Sequence, residues 1–271
     1  MSNAGPVFRR TALAALALAA GLAGCGGDNP REVVRQTAKN LARVHSANLY
    51  LRIGLHPLDS PRGGLALSLN GPFSLPAAGE LPTARITYVQ SAGSRRTVAT
   101  LISTPREAFV SLRGASYRLP ERLAKRLRTT GPRRGSVSLA QLNVADWIEN
   151  PSAHDAPGGA ERVTGRLDVV AAVRDVLAAQ RRAGGNALEL SSREARRLRE
   201  SVRSSSVELV TGRQDRQLRR LRGSATVAVP TRLRRQLGRL SLRMAFEMRL
   251  RDVNRPVQVR APARALPLPA R

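Results

Sequence analysis

Apolar and polar positions along the chain follow two alternating periods. From Asn29 the spacing is helical. Pro30 opens a helix with Asn29 as its N-cap, and Val33, Val34, Thr37, Leu41 and Val44 fall on one face. At Ser46 the period drops to two. Leu49, Leu51, Ile53 and Leu55 alternate with Tyr50, Arg52 and Gly54, which predicts a half-buried strand. Pro57 and the Pro-Arg-Gly-Gly stretch at 61–64 predict a turn. Leu65, Leu67 and Leu69 predict a second strand, closed by Asn70-Gly71-Pro72. After a Pro-containing loop at 75–82 come strand-like runs at 84–90, 96–103 and 107–112, spaced as an antiparallel meander.

The middle of the chain returns to helical spacing. A short basic helix is predicted over 121–128 and a loop over 129–136. Leu139, Leu142, Trp147 and Ile148 suggest a second short helix. The stretch 150–159 reads as irregular and 162–167 as a short strand. Asp168 then caps a helix to about Arg182, with Val169, Val170, Val173, Val176 and Leu177 as its stripe. Ser191 or Ser192 opens another, to about Arg203. Its Ala195, Leu198 and Val202 face inward under a coat of arginines, which reads as a solvated helix face.

Strands are predicted again over 206–213, 217–229, 240–251 and 257–260. The third is the clearest signal after residue 25. Leu240, Leu242, Met244, Phe246, Met248 and Leu250 alternate without a break with polar or small partners. Two methionines and a phenylalanine on one face suit an adaptable apolar cavity; an ordinary filled core explains the same strand. The tail 261–271 reads as frayed or edge chain. Strand runs and helix runs are segregated, so the fold class is α+β with a largely antiparallel sheet, in one domain over 31–271.

The first thirty residues follow a different logic. Arg9-Arg10 precede an Ala/Leu run over 12–20, too short to span a bilayer, and then Leu22-Ala23-Gly24-Cys25. This resembles the lipobox of bacterial lipoproteins. The resemblance implies a signal peptide over 1–24 and lipid attachment at Cys25, the one cysteine of the chain. Residues 25–30 then form a short tether that reaches at most ~17 Å. The protein is therefore expected on the outer face of the cell membrane, with export by either the general or the twin-arginine route.

Charge sharpens this picture without naming a partner. Lys and Arg number 46 against 19 Asp and Glu, a formal net charge of +27. In a cytosolic chain this balance would point to nucleic acid. Export, and only eight scattered aromatics, point away from it. Outside the membrane the available polyanions are lipid headgroups and anionic wall polymers. A compositional preference for arginine explains the same count.

Motifs for covalent chemistry are missing. His45, His56 and His154 have no partner at metal-ligand spacing, and no Gly-x-Ser-x-Gly elbow, P-loop or dinucleotide fingerprint occurs. No catalytic, metal or cofactor site is expected, and the chain is read as a binding protein.

Three segments carry a family resemblance: Trp147–Pro151 with the Val163-Thr164-Gly165-Arg166-Leu167-Asp168 stretch, Val207–Gly212 with Asp215 and Leu218-Arg219-Arg220, and the long strand ending Asp252-Val253-Asn254-Arg255-Pro256-Val257. In these and in its element order the chain resembles the LppX/LprG-type lipoproteins of mycobacteria and related actinobacteria, with their LolA-like fold. The resemblance implies a curved antiparallel half-barrel with helices on its concave face. Between them would lie an apolar cavity for acyl chains of a lipid or glycolipid, with Leu240, Leu242, Met244, Phe246, Met248 and Leu250 along it. The chain departs from that pattern in its basicity and in Arg162, where the family tends toward histidine. An envelope sensor or scaffold that binds a protein or wall polymer through its basic surface is the alternative on the same fold.

Overall fold

The computed structural model describes residues 29–58, 64–75, 80–129, 139, 142–182, 189–229 and 241–268. Cys25, Leu22, Ala23, Gly24 and Leu240 lie outside them, as does the predicted loop at 130–136.

The chain forms two antiparallel meanders that share one sheet. The first comprises β1 (Ser46–Pro57), β2 (Leu65–Ser74), β3 (Thr83–Ala92), β4 (Arg95–Ser103), β5 (Ala108–Leu112) and β6 (Ala115–Arg118). The second comprises β7 (Ile148–Ala156), β8 (Ala160–Leu167), β9 (Val202–Gly212), β10 (Leu218–Ala228) and β11 (Ser241–Arg251). They meet where β1 pairs antiparallel with β11. The strand order is β12-β6-β5-β4-β3-β2-β1-β11-β10-β9-β8-β7, with a two-residue β12 (Leu266–Pro267) parallel to β6 at one edge. The sheet is curved and does not close, so the fold is the α+β half-barrel.

Helices cover the second meander. In α1 (Pro30–Leu41) the Asn29 side chain accepts from the Arg31 N–H at 3.0 Å, and Val33, Val34, Thr37 and Leu41 are buried. Asp168 accepts from Val170 and Ala171 N–H groups at 2.9 and 3.0 Å and caps α3 (Val169–Arg182). Ser191 and Glu194 form a capping box on α4 (Ser192–Ser201). The core lies between these helices and the inner faces of β8 to β11, with Val33, Val163, Leu209 and Leu221 at most 1% exposed. A smaller cluster joins α2 (Glu121–Thr129) to Leu81 and Ala108.

Several sequence expectations are corrected. β2 continues through Gly71-Pro72 to Ser74, because Gly71 adopts φ +141° with the Arg85 carbonyl where a Cβ would sit. Arg113 and Gly114, both at positive φ, make a two-residue hairpin turn into the unforeseen β6. The stretch read as irregular contains the edge strand β7, bulged at Asn150-Pro151. The short helix expected before it is only a 3-10 turn, Val144–Trp147. Residues 257–260 are not a strand; pairing resumes at β12.

Candidate functional site

Along β1 the inward side chains are Leu49, Leu51, Ile53 and Leu55. Register places them opposite Leu250, Met248, Phe246 and Met244 of β11. Burial falls along this ladder as far as Ile53 and Leu55, and Pro57 beyond them is buried again. Ala47 is 0% exposed and Leu250 3%, while Ile53 and Leu55 are each 37% exposed. The strands are therefore covered at the Ala47 end and open around Ile53 and Leu55.

Between them and α3 lies a cavity of about 560 Å³. Leu49 to Leu55, Leu69, Phe73, Ile86, Leu221 and Ala225 form its wall. Val169, Ala172, Val173 and Val176 of α3 form its roof, and Val44, Trp147 and Leu167 lie toward the covered end. Ser224 is the one polar lining residue among those described. On β3 the inner face turns polar beside the cavity: Tyr88, opposite Leu69, donates to Gln90 Oε1 at 2.7 Å.

Trp147 fixes the covered end. Its Nε1–H donates to Asp175 Oδ2 at 2.8 Å, and the same oxygen accepts the Asn143 N–H at 2.8 Å. The indole meets Phe246 edge-on, with ring centroids 5.8 Å apart. Phe246 in turn lies over Gly223, where a Cβ would come within 2.4 Å of its ring. That glycine leaves room for the edge of the ring against β10.

Of the side chains expected along the cavity, Met244, Phe246 and Met248 line it. Leu250 belongs to the buried core beyond its covered end, and Leu242 is half-buried opposite Pro57 at the open end. Leu240 is outside the described residues. The roof was present in the sequence as the valine stripe of α3. Asp175 was not singled out, although an acid between Val173 and Val176 of that stripe is the signal that could have found it.

The outer face of the same strands is charged. Glu208 takes Arg222 at 2.9 Å and Arg162 at 3.6 Å, so Arg162 stands away from the cavity. Glu247 takes Arg220 at 2.7 Å and Arg249 at 2.8 Å, and Arg249 lies over the Tyr50 ring. Burial pushes the Glu247 carboxyl up, but the Arg249 hydrogen bond and the charges of Arg220 and Arg249 outweigh it and hold it below its ordinary value. Glu247 correspondingly raises Arg249. Among the described residues no group of three or more His, Cys, Asp or Glu could hold a metal, and no helix is long and apolar enough to cross a membrane.

No family model matches the chain, and no curated protein does. Solved structures do. LprF from Mycobacterium bovis is similar over 86% of this chain and 97% of its own, at 10% identity and a TM-score of 0.42. A DUF1329 family protein from Desulfovibrio piger is similar over 84% of this chain and 96% of its own, at 8% identity and a TM-score of 0.25. A LolA superfamily protein from Nitrosomonas europaea is similar over 84% of this chain and 96% of its own, at 7% identity and a TM-score of 0.22.

Proposed function

We propose that this chain is an extracytoplasmic lipoprotein, anchored through acyl groups on Cys25 after the Leu22-Ala23-Gly24 lipobox, that binds a lipid or glycolipid and carries it within the envelope. It acts by binding, without a covalent step. The observation that carries this reading is the cavity: about 560 Å³ of space, open at one end, with Ser224 as its one polar lining residue among those described. A wall of that kind offers an acyl chain about 0.8 kcal/mol per buried CH₂ and gives a polar solute no partner.

Native mass spectrometry of the full chain, purified from the membranes of a lipid-containing host, tests the cargo. The expected spectrum carries a non-covalent lipid that organic extraction removes. Protein that is empty in every preparation would sink the reading. The anchor has a separate test. The mass of the wild type should lack residues 1–24 and include acyl groups, whereas Cys25→Ser should retain them. A wild type that keeps residues 1–24 without added mass rejects the anchor and leaves the cargo reading standing.

A second reading draws on the outer face, where a groove of about 560 Å³ is lined by Arg52, Arg220 and Arg222 together with their partners Glu208 and Glu247. It makes the chain a scaffold for an anionic polymer or acidic protein. Binding of that sort weakens steeply as salt rises, while burial of an acyl chain does not.

A further inference from the structure

We propose that the end of the sheet at and beyond Ile53 and Leu55 is a membrane-docking face, which sets the mouth of the cavity against the surface of an anionic lipid bilayer. This deepens the lipid-binding reading by fixing which end of the protein meets the bilayer.

The face combines apolar and cationic side chains. Ile53, Leu55 and Val176 are exposed at the mouth, and Leu58 and Leu65 beside it are 54% and 41% exposed. Leu65 stands opposite Leu55, and the Leu58 N–H donates to the Ser241 carbonyl at 3.3 Å, so these leucines are held at one end of the strands. Register brings four exposed arginines to the same level. Arg243 stands opposite His56. Arg95 and Arg96 align with Leu55 and Gly54 through β3 and β2. Arg203 lies between Val202 and Ser204, which align with Pro57 and His56 through β10 and β11. Among the described residues that align with Gly54 to Pro57, none is Asp or Glu.

The other end of the same sheet is different. There Arg118 pairs with Glu107, Arg213 with Asp155 and Arg255 with Asp252. Its arginines are neutralised, while those around the mouth keep their charge for a partner. An acidic protein matches the charge alone. A bilayer matches both halves of the face, because leucines enter the boundary between headgroups and acyl chains while arginines stay at the phosphates.

The direction of α1 agrees. Near its C-terminus Asn40 donates to the Asp215 carbonyl, at the end away from the mouth. Near its N-terminus Arg31 and Val34 lie beside Ile148, Glu149 and Arg166. Arg166 follows Gly165, which aligns with Ile53 through Val207, Gly223 and Phe246. The helix therefore starts level with the mouth and points the preceding chain toward the face. From the Ile53 row to Leu58 the strand advances roughly 17 Å at ~3.3 Å per residue. Residues 25–30 reach about the same distance, ~17 Å. Acyl groups on Cys25 thus lie within reach of the bilayer that the face touches. This match rests on the anchor reading; the make-up of the face does not. A lipid then passes between bilayer and cavity without crossing water.

The test places a nitroxide on one added cysteine in the full chain: Leu58→Cys or Leu65→Cys at the face, or Glu80→Cys, exposed near the start of β3 at the other end. The protein is mixed with vesicles of phosphatidylcholine and phosphatidylglycerol. Collision of the label with oxygen, which concentrates in lipid, is compared with collision with a water-soluble nickel chelate. Labels at 58 and 65 are expected in lipid and the label at 80 in water. Labels at 58 and 65 that stay as open to nickel as the one at 80 overturn the proposal and leave the face to an acidic protein. Spin–spin broadening at 58 without lipid contact marks a second copy of this chain and equally overturns it. Should Leu65→Cys not fold, Leu58→Cys decides.

The charge has its own readout. Arg95→Gln, Arg96→Gln and Arg243→Gln should each lower the ratio of docked to undocked label about fivefold, and Arg255→Gln should leave it unchanged. Contact that persists in all three variants, or on phosphatidylcholine alone, overturns the part assigned to the arginines. A wild type whose Cys25 takes the label has no acyl anchor; that rejects the anchor reading, and the same labels in Cys25→Ser protein then decide the face. Docked labels on protein that never carries a lipid reject the cargo reading and leave the face in place.

Discussion

The two meanders are written in the same alternating code and are used in opposite ways. In the second, the inward residues of β8, β9 and β10 meet α1, α3 and the 3-10 turn, and Val163, Leu209 and Leu221 are sealed. In the first, β1 and β2 join that core only at the Ala47 and Phe73 end, and further along Ile53, Leu55 and Leu65 stay 37 to 41% exposed. The difference teaches that alternation specifies a face, while the partner laid on that face decides between a core and a cavity. Here the helices follow the second meander in packing and leave part of the first uncovered. The buried core is therefore concentrated in the second meander, while the cavity wall is shared between the two.

The sharpest way to break this comparison is through the ion pairs. Glu161 and Arg216 are paired with side chains 6% and 10% exposed, beside Thr37 and Thr211 under α1. Glu161→Ala leaves a buried arginine with less compensation and should cost about 3–5 kcal/mol in denaturant unfolding. Its counterpart in the first meander is Glu107 with Arg118, 3.3 Å apart and 42% and 64% exposed. Glu107→Ala should cost under about 1 kcal/mol. Equal losses would erase the distinction.

Apolar truncation gives the next largest effect. Leu209→Ala removes a fully buried side chain and should cost roughly 2–5 kcal/mol. Leu55→Ala, at the mouth, should cost under about 1 kcal/mol in lipid-free protein but lower the affinity for an acyl chain several-fold. Calorimetry with and without lipid checks both. A Leu55→Ala loss as large as that of Leu209→Ala would mean that the cavity is part of the core.

The smallest effect is a dependence on pH at the junction of the meanders. Glu247 pairs with Arg52 in the β1–β11 register and bonds Arg220 and Arg249. Its carboxyl lies below the ordinary 4.5, so it binds fewer protons folded than unfolded. Its contribution is complete above pH 4.5 and is lost as the pH falls through the folded value. Unfolding midpoints of wild type and Glu247→Gln should differ at pH 7 and converge in acid. A constant difference down to pH 2 would assign the effect to packing.

The same contrast explains which parts were legible in the sequence. α1, α3, α4 and β11 were readable because each carries its own signal, a cap or an unbroken alternation. β7 was not. It is an edge strand with few inward apolar side chains, Ile148 and Ala153 among them, and its bulge tolerates the proline that argued against a strand. β6 was missed because the Arg113-Gly114 turn places arginine at φ +50°, a conformation that its residue type does not announce. At the site, the β11 row was readable as a face. Which of its members meet the cavity depends on where α3 ends its cover, and that is set by register between segments far apart in the chain. Met244, Phe246 and Met248 meet it, while Leu250 is overlaid.

The pairing of β1 with β11 has a consequence for the order of events in folding. Leu51 and Met248 are neighbours across the sheet but lie about 200 residues apart in the chain. Within each meander neighbouring strands are close in the chain, save β8 and β9 with α3 and α4 between them, while the seam closes only a very long loop. The cavity straddles that seam, with β1 and β2 on one side and β10 and β11 on the other. It is thus assembled last, after β11 has emerged. On the lipid-binding reading proposed above, a partly synthesised chain has no cavity to fill, so loading waits for the finished molecule.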